Sequence, residues 1–182
     1  MRKTIALILA VCTLLSFAVA ASADTVTSGT TTLTTKVPAA SYTMKIPANQ
    51  TIQYGVEYTD IGNVTIEESE GFSAKKNIEV TVGITKFTSE SVDTTIPYLL
   101  KTVWSSGQHI AFNIEGVLRF EGQQDGTVKS RATGYITTAA IKDPLGELER
   151  MEVTVSSSSW ENALAGDYTS TITFTSKVVA VK

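Results

Sequence analysis

The sequence predicts an all-β protein, an antiparallel β-sandwich of about ten strands. Three observations carry that expectation. Apolar and polar residues alternate over run after run, which puts one face of each strand in a core and the other in water. Turn residues break these runs at fairly even intervals, at Gly62, Gly71, Gly83, Pro97, Gly107, Gly116, Gly126, Gly134 and Gly146. Such spacing suits a sandwich or barrel better than a parallel sheet. Threonine fills the outward positions, where its branched Cβ suits a pleated surface and its hydroxyl stays hydrated.

The elements follow in order. Tyr42, Met44 and Ile46 alternate with Thr43 and Lys45, and Val64 and Ile66 flank Thr65. Ile78, Val80, Val82 and Ile84 form the longest alternation, and Ile110, Phe112 and Ile114 repeat it. Gln124-Asp125-Gly126-Thr127 reads as a reversal, because glycine there tolerates positive φ. It is expected to join Val117–Glu121 to Val128–Thr137 as a hairpin, with Ser130, Ala132 and Gly134 inward and Lys129, Arg131 and Tyr135 outward. Met151, Val153 and Val155 form one later strand, and Ile172 and Phe174 another. Helical signals are sparse. Asp143-Pro144-Leu145-Gly146-Glu147 reads as a turn with one helical turn after it, and Ser159–Leu164 as a single capped turn ending at Gly166.

The first 23 residues read as a secretory signal: basic Arg2 and Lys3, an apolar run from Ile5 to Ala20, then Ala21-Ser22-Ala23 for a signal peptidase. A lipoprotein box at Leu9-Ala10-Val11-Cys12 is the competing reading. Val11 is large for its position, and Thr13 to Ala20 would leave an apolar stretch on the mature end. Residues 24–35 are a flexible Thr- and Ser-rich leader, and residues 36–182 a single sandwich domain. Cys12 is the only cysteine and leaves with the signal, so no disulfide or thiolate is expected in the mature chain. Loss of Arg2 and Lys3 takes the net charge from −3 to −5. With no basic cluster, a nucleic-acid partner is not expected. With no second long apolar run, neither is a transmembrane anchor.

Two segments also bear a resemblance. Ser41-Tyr42-Thr43-Met44-Lys45-Ile46-Pro47-Ala48 opens the ordered part, and Ala165-Gly166-Asp167-Tyr168-Thr169-Ser170-Thr171-Ile172-Thr173-Phe174 closes it. This pair resembles small exported β-sandwich surface proteins of Gram-positive bacteria, including relatives of the WxL cell-wall-binding proteins. The Trp-x-Leu pairs of that family are absent, since Trp104 precedes Ser105-Ser106 and Trp160 precedes Glu161-Asn162. The resemblance implies export, an immunoglobulin-like or adhesin-like sandwich and a surface role, and it carries over no functional residues.

Candidate chemistry is thin. His109 is the only histidine and alternates outward beside Ile110, so a catalytic triad or a histidine-based metal site has little to build on. Glu67, Glu68, Glu70, Glu115 and Glu121 are the acids from which a hydrolytic pair would be drawn, and most fall on polar faces or in turns. Asp60-Ile61-Gly62-Asn63 and Asp125-Gly126 offer too few oxygen donors for calcium. An isopeptide bond would need Lys36 or Lys45 beside Asn162. Neither metal, cofactor nor catalytic activity is expected. Aromatic rings could instead form a platform for sugars, and Tyr135, Trp104, Tyr98 and Trp160 are the candidate ligand-binding residues, with Tyr54 and Tyr58 beside them. Tyr98 and Trp104 share parity with Leu100, so burial competes for both. The expectation is a secreted, non-catalytic binding or adhesion protein that recognises a cell-wall polymer, a glycan or a surface protein. The alternative is a structural subunit that self-associates through its edge strands.

Overall fold

The computed structural model describes residues 33–35, 39–112, 114–136 and 145–181, with only the backbone of Tyr135 and Ile136. The chain divides after Val37. Of the first unit, Leu33–Thr35 are described, and they are exposed coil. The second unit, Pro38–Lys182, is nearly all β. Its elements are β1 (Ser41–Lys45), β2 (Tyr58–Gly62), β3 (Thr65–Glu70), β4 (Lys76–Ile84), β5 (Phe87–Thr88), β6 (Thr95–Ile96), β7 (Leu99–Trp104), β8 (His109–Phe112), β9 (Glu115–Glu121), β10 (Gly134–Ile136), β11 (Leu148–Thr154), the short helix α1 (Ser157–Glu161) and β12 (Ile172–Ala180).

Alternation along these strands builds a sandwich-like arrangement of antiparallel sheets. One four-stranded sheet runs β10-β9-β4-β12, and a second runs β2-β11-β7-β8. In the first, Ile78, Val80 and Val82 of β4 and Leu118 and Phe120 of β9 are fully buried. In the second, Leu100, Trp104 and Met151 are equally enclosed, and both sets belong to one continuous core. The reverse face of β4 carries Glu79, which meets Arg119 of β9 at 3.7 Å and Lys177 of β12 at 3.5 Å. The small sheet β1-β3 brings Tyr42, Met44 and Ile66 to the same core. Tyr42 reaches on to β12, where its hydroxyl donates to Ser176 Oγ at 2.8 Å.

Buried polar groups are accommodated locally. Thr102 is fully enclosed, yet its hydroxyl donates to Ile110 O (3.1 Å) and accepts from Trp104 Nε1 (3.0 Å). Gly122 is held where a Cβ would collide with Lys76 O and Ser73 O, so no larger residue fits that crossing of backbones.

Some expectations needed adjustment. The hairpin after β9 starts as expected, with Gly126 at φ 91° and Asp125 accepting from Thr127. Its returning arm bridges Val128 to Gly122 just past β9, donates from Lys129 N–H to Glu121 O and becomes a regular strand only at Gly134, while Thr137 lies outside the described residues. Ser130 is exposed rather than inward, because its backbone turns aside to accept from Ile66 N–H. Strand β8 ends at Phe112, and Ile114 is 71% exposed instead of buried. The helical turn expected after Gly146 is absent, since Leu148 already pairs with Trp104 in β11. The capped turn near Trp160 begins earlier than expected. Ser156, not Ser159, is the cap, and its hydroxyl accepts from Ser159 N–H at 3.1 Å.

Candidate ligand-binding cleft

The chain between β1 and β2 forms no strand and lies as a strap over one end of the domain. Ile52 alone turns inward from its middle and packs against the core. Between Gln50–Tyr54 of this strap and the segment from α1 to Ser170 lies a cleft of about 730 Å³. A smaller cleft of about 360 Å³ continues beneath the strap toward Ile172 and Phe174, and the two share Gln50, Ile52, Phe87 and Ser170.

The walls are fixed by hydrogen bonds. Helix α1 is a single turn, too short to hold itself, so its cap and its one buried side chain, Trp160, position it. Trp160 donates from Nε1 to Val56 O at 3.0 Å, which ties the helix to the strap across 104 positions of sequence. Opposite, Thr88 of β5 and Thr169 exchange both backbone bonds, at 2.9 and 2.8 Å. Tyr168 donates to Leu164 O at 3.0 Å and hydrogen-bonds Thr94, closing the loop on itself. Tyr98 lies below, its ring 5.0 Å from that of Phe87, its hydroxyl sharing a hydrogen bond with Ser170 Oγ. Burial pushes the Tyr98 phenol above its usual value, partly offset by the Ser170 bond.

The rim is unlike the walls. Tyr54 is 77% exposed and stands edge-on to Trp160 with ring centroids 5.5 Å apart. Leu164 is also exposed, and Gln50, Asp167 and Thr169 supply polar groups nearby. The result is an apolar floor with an upright aromatic ring and scattered hydrogen-bonding groups at its mouth. Asp167 is the one carboxylate among the described residues lining either cleft.

Of the four ring residues singled out in the sequence, the structure brings two to this end of the domain. Trp160 lines the larger cleft and Tyr98 the smaller, each mostly buried. Trp104 belongs elsewhere: at 1% exposure it is enclosed by the core, and neither face is free for stacking. Tyr135 pairs with Leu118 in β10, and its side chain lies outside the described residues. Tyr58 is exposed on the second sheet, under the ammonium of Lys101 at 4.6 Å. The Glu57 carboxylate, which accepts a hydrogen bond from the Tyr58 hydroxyl, raises that phenol above its usual value.

The remaining candidates disperse. His109 is exposed, as are Glu67, Glu68, Glu70, Glu115 and Glu121. Lys45 pairs with Glu67 at 3.3 Å, Asn162 donates its amide to Ser158 O, and Lys36 lies outside the described residues. Among the described residues no group of three or more His, Cys, Asp or Glu gathers as a metal site would require. Sequence reasoning missed the contribution of Ile52, Phe87 and Tyr168. Tyr168 stood inside the closing motif, yet nothing there marked it as a wall. No protein-family model matches the chain, and no curated protein or solved structure matches it either.

Proposed function

We propose that the chain is exported and acts as a non-catalytic, surface-associated binding protein whose ligand is a glycan, such as a cell-wall polymer of a Gram-positive bacterium. One observation carries this reading: the exposed Tyr54 ring standing against Trp160 over an apolar cleft with Gln50, Asp167 and Thr169 at its edge. Planar rings stack on the apolar faces of pyranoses, and side-chain amides and carboxylates take their hydroxyls. Asp167 suits the second of these roles, accepting from sugar hydroxyls at the mouth of the cleft. The basic and apolar opening of the sequence, ending in Ala21-Ser22-Ala23, supports export.

The test is co-sedimentation of the purified protein with insoluble Gram-positive wall, before and after removal of the wall's secondary polymers. Saturable pelleting that disappears on stripping is expected. Tyr54→Ala should weaken it about tenfold, the equivalent of about 1.4 kcal/mol. Its thermal unfolding should stay unchanged, since the ring is mostly in solvent. Wild-type protein that remains in the supernatant throughout would end the wall-binding reading.

A further inference from the structure

The free edges of the two large sheets are not alike. Strand β2 has five residues, and the β11 register against it shifts between Met151 and Glu152. Strand β8 has four residues, and β10 has three. Short or irregular edges of this kind resist pairing with another chain. Strand β12 has nine residues, neither proline nor glycine, and an unbroken register against β4 from Ile172↔Ile84 to Ala180↔Lys76.

The direction of its free backbone groups follows from the hydrogen bonds around it. Ile84 N–H donates to Ile114 O, toward β9, whereas Thr85 N–H donates to Thr171 O and Val181 N–H to Lys75 O. Odd-numbered residues of β4 and β12 therefore bond to each other, and the even-numbered residues of β12 point their N–H and C=O groups outward. Those are Ile172, Phe174, Ser176, Val178 and Ala180. Among the described residues, no strand pairs along that side. The one charge on the strand, Lys177, is on the outer face and held by Glu79.

We propose that β12 is the surface through which two copies of this chain associate, antiparallel about a two-fold axis through Ser176. In that register every outward-pointing residue meets another: Ser176 its own copy, Phe174 Val178 of the second chain, Ile172 its Ala180. The side chains suit the pairing. Val178 is 40% exposed, and Phe174 and Ile172 are half-buried at the wall of the smaller cleft, so the second chain's Val178 and Ala180 cover what each chain leaves open. On the opposite face Lys177 stands across from Thr175, so like charges are not opposed. The two sheets become one continuous sheet of twice the width.

Sedimentation velocity over a concentration series tests it, together with amide exchange by NMR. The chain should form a dimer. The amides of Phe174, Ser176 and Val178 should gain protection with concentration, while those of Thr175 and Lys177 are protected at every concentration. Val178→Pro removes only an N–H that the single chain leaves free, so it should fold and raise the dissociation constant by about a hundredfold or more. Val178→Lys does the same by charge and serves if the proline variant fails to fold. A chain that stays monomeric up to its solubility limit overturns the proposal. So does a dimer whose β12 amides do not respond to concentration, or one that survives both substitutions. Tyr54→Ala should leave dimerisation untouched, which separates this outcome from the fate of the glycan reading.

Discussion

Trp104 and Trp160 look equivalent by burial, at 1% and 8% exposure, and each satisfies its indole N–H. Their surroundings differ. Trp104 ends β7, an inner strand of its sheet, bonded to Thr102 two residues away in its own strand, with Leu148 paired beside it in β11. Its place is dictated by alternation alone. Trp160 sits on one turn of helix at the end of the domain and is bonded to a strap far away in sequence. Its place depends on a serine cap, on the strap and on the loop ending at Ser170. One tryptophan is a brick of the core, and the other is the hinge pin of a cleft.

Substitution should separate the two roles most sharply. Trp104→Ala leaves a void that neither layer can close, and a loss of about 3–5 kcal/mol is expected in urea unfolding. Trp160→Ala borders the cleft, where water can enter the space, so the loss should be nearer about 2 kcal/mol. Its effect on wall binding should be the larger one, because Tyr54 loses the surface it stands against. If Trp160→Ala bound the wall as well as wild type, the cleft would not be the binding site. If it destabilised the chain as much as Trp104→Ala, the contrast between pin and brick would fail.

A smaller effect tests the same end of the molecule without touching a ring. Ser156→Ala removes the acceptor for Ser159 N–H, and caps of this kind contribute about 1 kcal/mol. The thermal midpoint should fall modestly, and wall binding should weaken as α1 frays and Trp160 loses its register with Val56. A drop in stability with binding fully retained would mean that the helix does not position the cleft.

The contrast also explains what was legible in the sequence. Period-two alternation reports which residues of a strand face the core, so the burial of Ile78, Val80, Val82, Met151 and Val153 could be read directly. Parity placed Tyr98, Leu100 and Trp104 together, and all three are buried. Alternation does not by itself make a strand. Along the strap from Ile46 to Glu57 apolar residues fall at Ile46, Ala48, Ile52, Tyr54 and Val56, yet the segment forms no strand, and its place over the cleft is set by Ile52 and by the Trp160 bond to Val56, which are long-range contacts. Four consecutive serines, Ser156–Ser159, each suit a helix cap, and only the fold decides between them. Ile114 follows the alternation of β8 in sequence, yet the strand ends before it. Pairing across a sheet, rather than polarity, sets where a strand stops.

The finest distinction lies at the floor of the cleft, between Tyr98 and its exposed counterpart Tyr58. Both phenols are raised above the usual 10.0, Tyr98 by burial and Tyr58 by donating a hydrogen bond to the Glu57 carboxylate. A raised value means that the folded chain keeps the proton to higher pH than the unfolded chain does. The stability linked to Tyr98 is therefore complete below the unfolded value and is lost as pH climbs through the folded one. Tyr98→Phe removes that dependence along with the bond to Ser170, whose loss should cost about 1 kcal/mol at neutral pH. Tyr58 remains in both proteins, so the difference between their melting curves isolates the buried phenol. Above about pH 10 the wild-type midpoint should fall more steeply than that of the variant, and the two should converge. Parallel curves would mean that water reaches the Tyr98 hydroxyl freely and that the smaller cleft is open to its floor.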